Sequence, residues 1–257
     1  MGTETQYSAM NFGAISKTFV ENAQKENKDI KIFLNEEIID LDRSKGITKL
    51  TSDKDTYFAH FVVVDAGAHS LLLAHKMDIG LKYSCLPIGG SFYYANDTWL
   101  KSKVYTVQNN KLPFAAIHGD PDILVDGKMR LGPTAIALPK LERYHQSHFF
   151  NFLETLKPDR SVFNVFYDLF SDKDIRNYVL KNMTYEIPGI RKSLFVKEAQ
   201  KIIPTLREDD IEFAEGIGGL RPQVIDKEAE KLLLGEAKIT TEKGLIFNMT
   251  PSPGATS

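Results

Sequence analysis

Three side chains stand where they could act on a small acidic ligand. His118 follows the apolar run Phe114–Ile117 and precedes Gly119–Pro121, which places an imidazole at the end of a predicted strand, where loops build sites. There it can act as a base, or it can cap the Gly119–Pro121 turn. Arg221 lies between Gly218-Gly219 and Pro222-Gln223, flanks that let the backbone approach a ligand and hold the guanidinium in one direction. A planar fork of this kind can grip a carboxylate bidentately. A surface ion pair with Asp226 or Glu228 is the competing role. Arg130 alternates with Met129 and Leu131 on a short predicted strand, so it faces away from both. A second clamp would suit a ligand with two carboxylates, and an exposed strand arginine is the alternative. Tyr93, Tyr94 and Tyr105 either line the same pocket or belong to the core.

Phosphate and metal chemistry leave fewer marks. Ala66, Gly67 and Ala68 are small residues where a strand is predicted to turn into a helix, which permits close approach of a diphosphate or ribose, or equally tight helix–strand packing. No segment matches the glycine-rich dinucleotide loop or a nucleotide-triphosphate loop. Gly216–Gly219 comes nearest, but Pro222 forbids a helix through that point. His60, His69 and His75 have no ligand partners at metal-binding spacing, and His145 and His148 are expected to be solvated, so no metal is expected. Cys85 is the single cysteine, which excludes an intramolecular disulfide, and its apolar neighbours predict an inert thiol.

The elements that must position these residues follow from periodicity. Apolar residues at three- and four-residue steps predict a helix over Phe12–Ala23 capped by Asn11. Short strands are expected at Ile30–Leu34, Ile38–Leu41, Gly46–Leu50 and Thr56–Ala59, the last two around a Ser52–Asp55 turn. The β-branched run Phe61–Val64 suits a parallel strand buried on both faces, feeding a helix over Ala68–Met77. From Leu86–Tyr94 through Lys103–Val107, Phe114–His118 and Met129–Thr134 the pattern is that of an antiparallel sheet. Helices are predicted at Tyr144–Leu156, Lys173–Asn182 and Ile190–Ile203, then strands at Ile211–Ala214, Gln223–Ile225, Leu232–Leu234, Ala237–Ile239 and Leu245–Asn248. An α/β body at both ends and a β-then-α insertion between them imply two interleaved domains: residues 1–82 with 205–257, and residues 83–204.

Composition narrows the class. The 257 residues are 42% hydrophobic and 26% charged, as in ordinary folded proteins. With 32 Lys and Arg against 34 Asp and Glu, no long-range field draws a polyanion, so nucleic acid is not expected. The longest apolar runs, Phe61–Val64 and Leu71–Ala74, are far short of a membrane span, and the address expected is cytoplasmic.

In order along the chain, Phe61–Ser70, Phe114–Pro121, Arg130–Thr134, Gly218–Gln223 and Asn248–Ser257 make the sequence similar to the malate:quinone oxidoreductase family over nearly its whole length. Each segment is shared more loosely with 2-hydroxyglutarate oxidases and other D-amino-acid-oxidase-like flavoproteins. The resemblance implies an FAD-dependent enzyme that oxidises (S)-malate to oxaloacetate and passes electrons to quinone, in peripheral contact with the inner face of the cell membrane. It favours His118 as the base and Arg221, with Arg130, as carboxylate clamps. For FAD it implies contacts from Ala66, Gly67, Ala68, Gly218 and Gly219, and from Ser252, Pro253, Gly254 and Ala255. The last four resemble a helix start whose N–H groups stabilise negative charge on reduced flavin; a Pro-rich terminal coil is the alternative. Family members begin with a glycine-rich strand–loop–helix and end with a helix after the Pro251–Pro253 segment. The expectation is therefore a truncated member: residues 1–82 and 205–257 as a partial FAD-binding domain of mixed α/β class, and 83–204 as a substrate-binding domain. Oxidation of another 2-hydroxy acid, such as 2-hydroxyglutarate, and a catalytically silent fragment that needs a partner half are the alternatives.

Overall fold

Alternation in short strands builds a sheet with one apolar and one polar face. In the computed structural model, which describes residues 2–4, 10–107, 116–144, 148–233, 239–242 and 245–248, six strands lie in the order β1 (Gly2–Glu4), β8 (Val104–Thr106), β9 (His118–Pro121), β10 (Met129–Gly132), β7 (Tyr93–Ala95) and β12 (Ile211–Phe213). All their pairings are antiparallel. Tyr93, Ala95, Met129, Leu131 and Ile211 point to one side and pack with Phe195, Val196 and Ala199 of α6 (Arg191–Ala199). There the Tyr93 ring stacks on Phe195 at 4.3 Å between centroids. The opposite face carries a row of polar residues in register: Glu212, Tyr94, Arg130 and Asp120.

A second sheet runs β11 (Ile136–Ala137), β6 (Tyr83–Gly89), β13 (Leu220–Asp226) and β14 (Lys231–Leu232). Pro87 of β6 stands opposite Pro222 of β13. Neither can donate a ladder hydrogen bond, so the pairing passes through them only at a position that needs none. The expected single strand Leu86–Tyr94 divides at Gly90 between the two sheets. A Cβ on Gly90 would meet the Thr134 carbonyl at 2.2 Å, so only glycine makes that corner.

The parallel pairing expected of Phe61–Val64 is present: β5 (Val62–Val64) pairs with β16 (Leu245–Asn248), which in turn pairs antiparallel with β15 (Ile239–Glu242). Burial is one-sided, however. Val62 and Val64 enter the core with Leu71, Leu73, Leu245 and Phe247, while Val63, turned to the opposite face, is 58% exposed. Helix α2 (His69–Lys76) follows, as predicted. The fourth sheet is the expected antiparallel meander of β2 (Ile38–Ser44), β3 (Ile47–Ser52) and β4 (Thr56–Ala59). Its turn is tied by Ser52 Oγ, which accepts from the Lys54 and Asp55 N–H groups at 3.1 and 2.8 Å.

Helix α1 (Phe12–Glu26) is capped as expected, Asn11 Oδ1 accepting from the Ala14 N–H at 2.9 Å. The strand expected at Ile30–Leu34 does not form: the segment is irregular and exposed, and among the described residues no strand pairs with it. Helices α3 (Phe149–Leu156) and α6 fall inside their predicted spans, and α5 (Lys173–Thr184) starts as predicted and runs two residues further. An unpredicted helix, α4 (Arg160–Ser171), lies between α3 and α5. Its Asp159 cap accepts from the Val162 N–H at 3.0 Å, and Val162 and Val165 bury one side against Leu156 and Ile225. The mixed helix-and-sheet class is as expected.

Candidate active site

His118 opens strand β9 instead of following a strand, so Gly119–Pro121 is ladder and not a turn to be capped. Its position puts it on the polar face, opposite Tyr105, with ring centroids 4.9 Å apart, and Phe92 stands 6.4 Å away edge-on. Nδ1 lies 3.3 Å from the Ala116 carbonyl. A carbonyl can only accept, so Nδ1 carries the proton and Nε2 the lone pair. Burial, then the nearby Lys103 and Arg130 charges, bring the imidazole down to about 4 despite the Ala116 contact. At neutral pH it is an unprotonated base among cations.

Arg130 lies on this same face, directly across β9–β10 from Asp120. Its Nη2 is 3.7 Å from Asp120 Oδ2 and its Nε 3.8 Å from Asp122 Oδ2. Both separations are ion-pair distances longer than a hydrogen bond, and the two Asp120 oxygens are buried with no hydrogen-bond partner among the described residues. Burial pushes the Asp120 carboxyl up, against the downward pull of Lys103 and Arg130. The guanidinium carbon also sits 5.3 Å from the Phe92 ring centre. Arg130 is therefore neither a solvated strand arginine nor an unopposed cation: it is flanked by two acids and an aromatic face. Tyr94 and Tyr105 line this face, whereas Tyr93 belongs to the core.

Arg221 belongs to the second sheet. It is in strand β13, opposite Ile88, and not in the loop that its glycine and proline neighbours predict. Burial lowers its pKa. The suggested surface pairs do not match the geometry: Asp226, five residues on, points to the other face of the strand, and Glu228 binds Lys82 at 3.2 Å. The Phe92 ring links the two regions. A Cβ on Gly218 would stand 2.7 Å from the Gly90 carbonyl and 3.7 Å from Phe92, which also stands against Arg130 and His118. The structure thus brings His118 and Arg130 together on one face and hangs Arg221 three residues beyond the Gly218 contact.

The small-residue turn after β5 is closed on itself. His69 and Ser70 N–H groups donate to the Ala66 and Gly67 carbonyls at 3.1 Å each, and Ser70 Oγ accepts from the Ala66 N–H at 2.7 Å. Gly67 has φ +58° with no atom within 4 Å of an added Cβ, so this corner offers open space more than spare donors. Gly219 is likewise open, while the Gly90 contact by itself accounts for glycine at 218. Ser252, Pro253, Gly254 and Ala255 lie outside the described residues.

Asp120, Asp122, Lys103 and Phe92 were not anticipated. Asp120 could have been found: it lies two residues from His118, so strand alternation puts both on one face. The expectations that His69 has no ligand partner and that His148 is solvated are also corrected, because His69 Nε2 and His148 Nδ1 stand 2.9 Å apart, 79 positions removed in sequence. Cys85 is buried, and desolvation lifts its thiol to about 12, as its apolar setting predicts. Among the described residues, no helix is long and apolar enough to cross a membrane.

The sequence profile of the family described as malate:quinone oxidoreductase (Mqo) matches residues 2–257. A probable malate:quinone oxidoreductase of Campylobacter jejuni is 52% identical over 261 residues, covering 100% of this chain and 58% of that protein. The malate:quinone oxidoreductase of Helicobacter pylori strain J99 is 51% identical, covering 100% of this chain and 57% of that protein. The chain thus spans somewhat over half the length of these relatives. Among solved structures, an L-amino acid deaminase from Proteus vulgaris superposes on 89% of this chain and 52% of its own with a TM-score of 0.50 at 12% identity, a likeness of fold. With a profile match from end to end and half of all residues shared with proteins of that name, the chain belongs to the malate:quinone oxidoreductase family.

Proposed function

We propose that this chain forms the substrate side, and one wall of the cofactor site, of an FAD-dependent enzyme that oxidises (S)-malate to oxaloacetate and delivers the electrons to a quinone. The observation that carries the reading is a neutral, half-buried imidazole beside a guanidinium on one sheet face, in a chain of this family. Oxidising a 2-hydroxy acid requires a base for the hydroxyl proton and cations for the carboxylates. His118 Nε2 takes that proton, and the imidazolium formed is stabilised by the substrate carboxylates it faces. Arg221 grips one carboxylate bidentately, and Arg130, in competition with Asp120 and Asp122, attracts the second. Tyr94, Tyr105 and Phe92 flank the guanidinium and the imidazole and exclude water from them.

Bound FAD would accept the C2 hydride. The residues present leave room for it at two separate points, Gly67 beside Ala66 and Gly219, each with no atom within 4 Å of an added Cβ, whereas Ala68 is packed into the core. The division into a flavin part, residues 1–82 and 205–257, and a substrate part, 83–204, belongs to the same proposal, with β12 and β13 reaching across it to pair with β7 and β6. Peripheral contact with a membrane is supported by α4, whose Phe163, Tyr167 and Phe170 recur at i, i+4 and i+7 and are all exposed, opposite a buried Val162–Val165 side.

The deciding experiment is the visible spectrum of a full-length protein carrying this chain, loaded with FAD and desalted, before and after (S)-malate. Bleaching by malate and not by 2-hydroxyglutarate, with reoxidation by a soluble quinone analogue, is the expected result. Retained flavin that malate leaves oxidised overturns the reading.

A further inference from the structure

Three metal-ligating side chains from distant parts of the chain meet at one point. His69 opens α2, His148 immediately precedes α3, and Glu142 lies on the connection from β11 to α3. Packing of α2 against α3 brings the histidines together. His69 Nε2 is 2.9 Å from His148 Nδ1, and the rings meet edge to face at 89°. Glu142 Oε1 lies 3.9 Å from His69 Nδ1 and 4.0 Å from His148 Nδ1. One donor atom from each residue falls within 4.8 Å of the others.

With one donor atom taken from each residue, the three lie within 4.8 Å of one another; the 3.9 Å gap to Glu142 is measured from the other ring nitrogen of His69. Ligands held about 2.0–2.1 Å from a tetrahedral metal lie roughly 3.3 Å from one another, so small side-chain rotations close this set on an ion. Both imidazole side chains are mostly buried, at 17% and 13% exposure, while the carboxylate is 47% exposed and gives an ion a route from solvent. Two facing ring nitrogens share at most one proton, so a cation placed between them replaces a contact that only one tautomer pair can make. Imidazole nitrogens with one carboxylate suit borderline first-row metals, not calcium or magnesium, which take oxygen. Three protein ligands leave a position for water.

We propose that His69, Glu142 and His148 form a binding site for a divalent transition metal of the zinc class. The site adjoins the Ala66–Ala68 turn, so an ion there would fix the start of α2 to the start of α3. This inference rests on ligand geometry alone and stands whatever the substrate.

The test uses the purified 257-residue chain, stripped with chelator and titrated with Zn²⁺ by calorimetry and with Co²⁺ by visible absorption. One equivalent should bind, with the d–d bands of a four- or five-coordinate site. His69→Ala and His148→Ala should each weaken binding by about tenfold or more, with Glu142→Gln falling in the same direction. His60→Ala, at an exposed histidine, should leave it unchanged. In case a variant fails to fold, ¹⁵N spectra of the unmodified chain give a second measure: the His69 and His148 ring nitrogens should shift on adding Zn²⁺. Binding that is equal in all variants, or unshifted His69 and His148 nitrogens at saturating metal, overturns the proposal.

Discussion

Arg130 faces Asp120 across the β9–β10 ladder, and Asp122 approaches the same guanidinium from the next turn, so the cation proposed to attract a substrate carboxylate is already opposed by two acids. Asp122 offers the cleaner probe. Its Oδ1 accepts from the Leu124 and Val125 N–H groups at 2.7 and 3.0 Å, while Oδ2 is the oxygen near Arg130. Asp122→Asn keeps the turn and removes only the competing charge. In a full-length protein carrying this chain, KM for malate should fall about three- to tenfold with kcat little changed. An unchanged or higher KM would show that Arg130 is held for structure and does not contact substrate.

As the proposed base, His118 has an environment that fixes the direction of the pH profile. An imidazole at about 4 in the free protein is active when unprotonated, so kcat/KM should rise with pH through that region and then level. Bound malate brings negative charge to the ring and raises its pKa, so the limb in kcat should lie at higher pH than the limb in kcat/KM. His118→Gln should lower turnover about 10²- to 10⁴-fold and abolish the acid limb in both profiles. A variant with full activity and the same limb would demote His118 to a strand residue.

As the proposed carboxylate clamp, Arg221 should separate substrate binding from cofactor binding. Arg221→Ala should raise KM for malate about 10- to 100-fold, the cost of one charge-assisted contact, and leave the flavin dissociation constant within about threefold. Equal loss of both would place the guanidinium on the cofactor or in the scaffold.

What sequence shows of this molecule divides along a physical line. Local periodicity carried the helices α1, α2 and α5, the β2–β4 meander, and the opposed faces of Met129, Arg130 and Leu131, because those patterns repeat within a few residues. Helix α4 was hidden by its own composition: Val162, Phe163, Val165, Phe166 and Tyr167 are strand-favouring types, although Val162, Val165, Phe166 and Leu169 keep helical spacing behind the Asp159 cap. Arg221 reads as loop because glycine and proline flank it, whereas Pro222 stays in the ladder, opposite Pro87, at a position that needs no hydrogen bond. Asp120 reads as a turn residue because Gly119 and Pro121 surround it. The His69–His148 contact joins positions whose separation no spacing rule reaches.

Adjacent glycines give a matched test of the join between the sheets. Gly218 has φ +118°, and an added Cβ would stand 2.7 Å from the Gly90 carbonyl, a backbone atom that cannot swing aside; Gly219 has nothing within 4 Å. Gly218→Ala should cost about 2–4 kcal/mol and lower Tm by several degrees, from left-handed strain plus the clash. Gly219→Ala should stay within about 1 kcal/mol. Equal effects would mean that Gly218 is not what holds β13 against the Gly90 corner. Both can be read by thermal melts of the chain without cofactor.

Acid stability is decided by a histidine far from the chemistry. His75 Nε2 lies 3.2 Å from both the Gly80 and Tyr83 carbonyls, so it holds the proton, while Nδ1 is buried with no partner among the described residues. Protonating Nδ1 would bury an unsatisfied N–H, and burial accordingly lowers this imidazole to about 4. The folded state then binds fewer protons than the unfolded one between pH 6.5 and 4. Stability contributed by His75 is complete above the unfolded pKa of 6.5 and is lost as pH falls through the folded value, a change of about 3 kcal/mol. His118 acts in the same direction over the same range. Melts from pH 7.5 to 4.5 should show Tm falling most steeply below about pH 6. NMR titration should find the His75 ring still neutral at pH 5.5; a His75 that titrates near 6.5 in the folded chain would remove the cause.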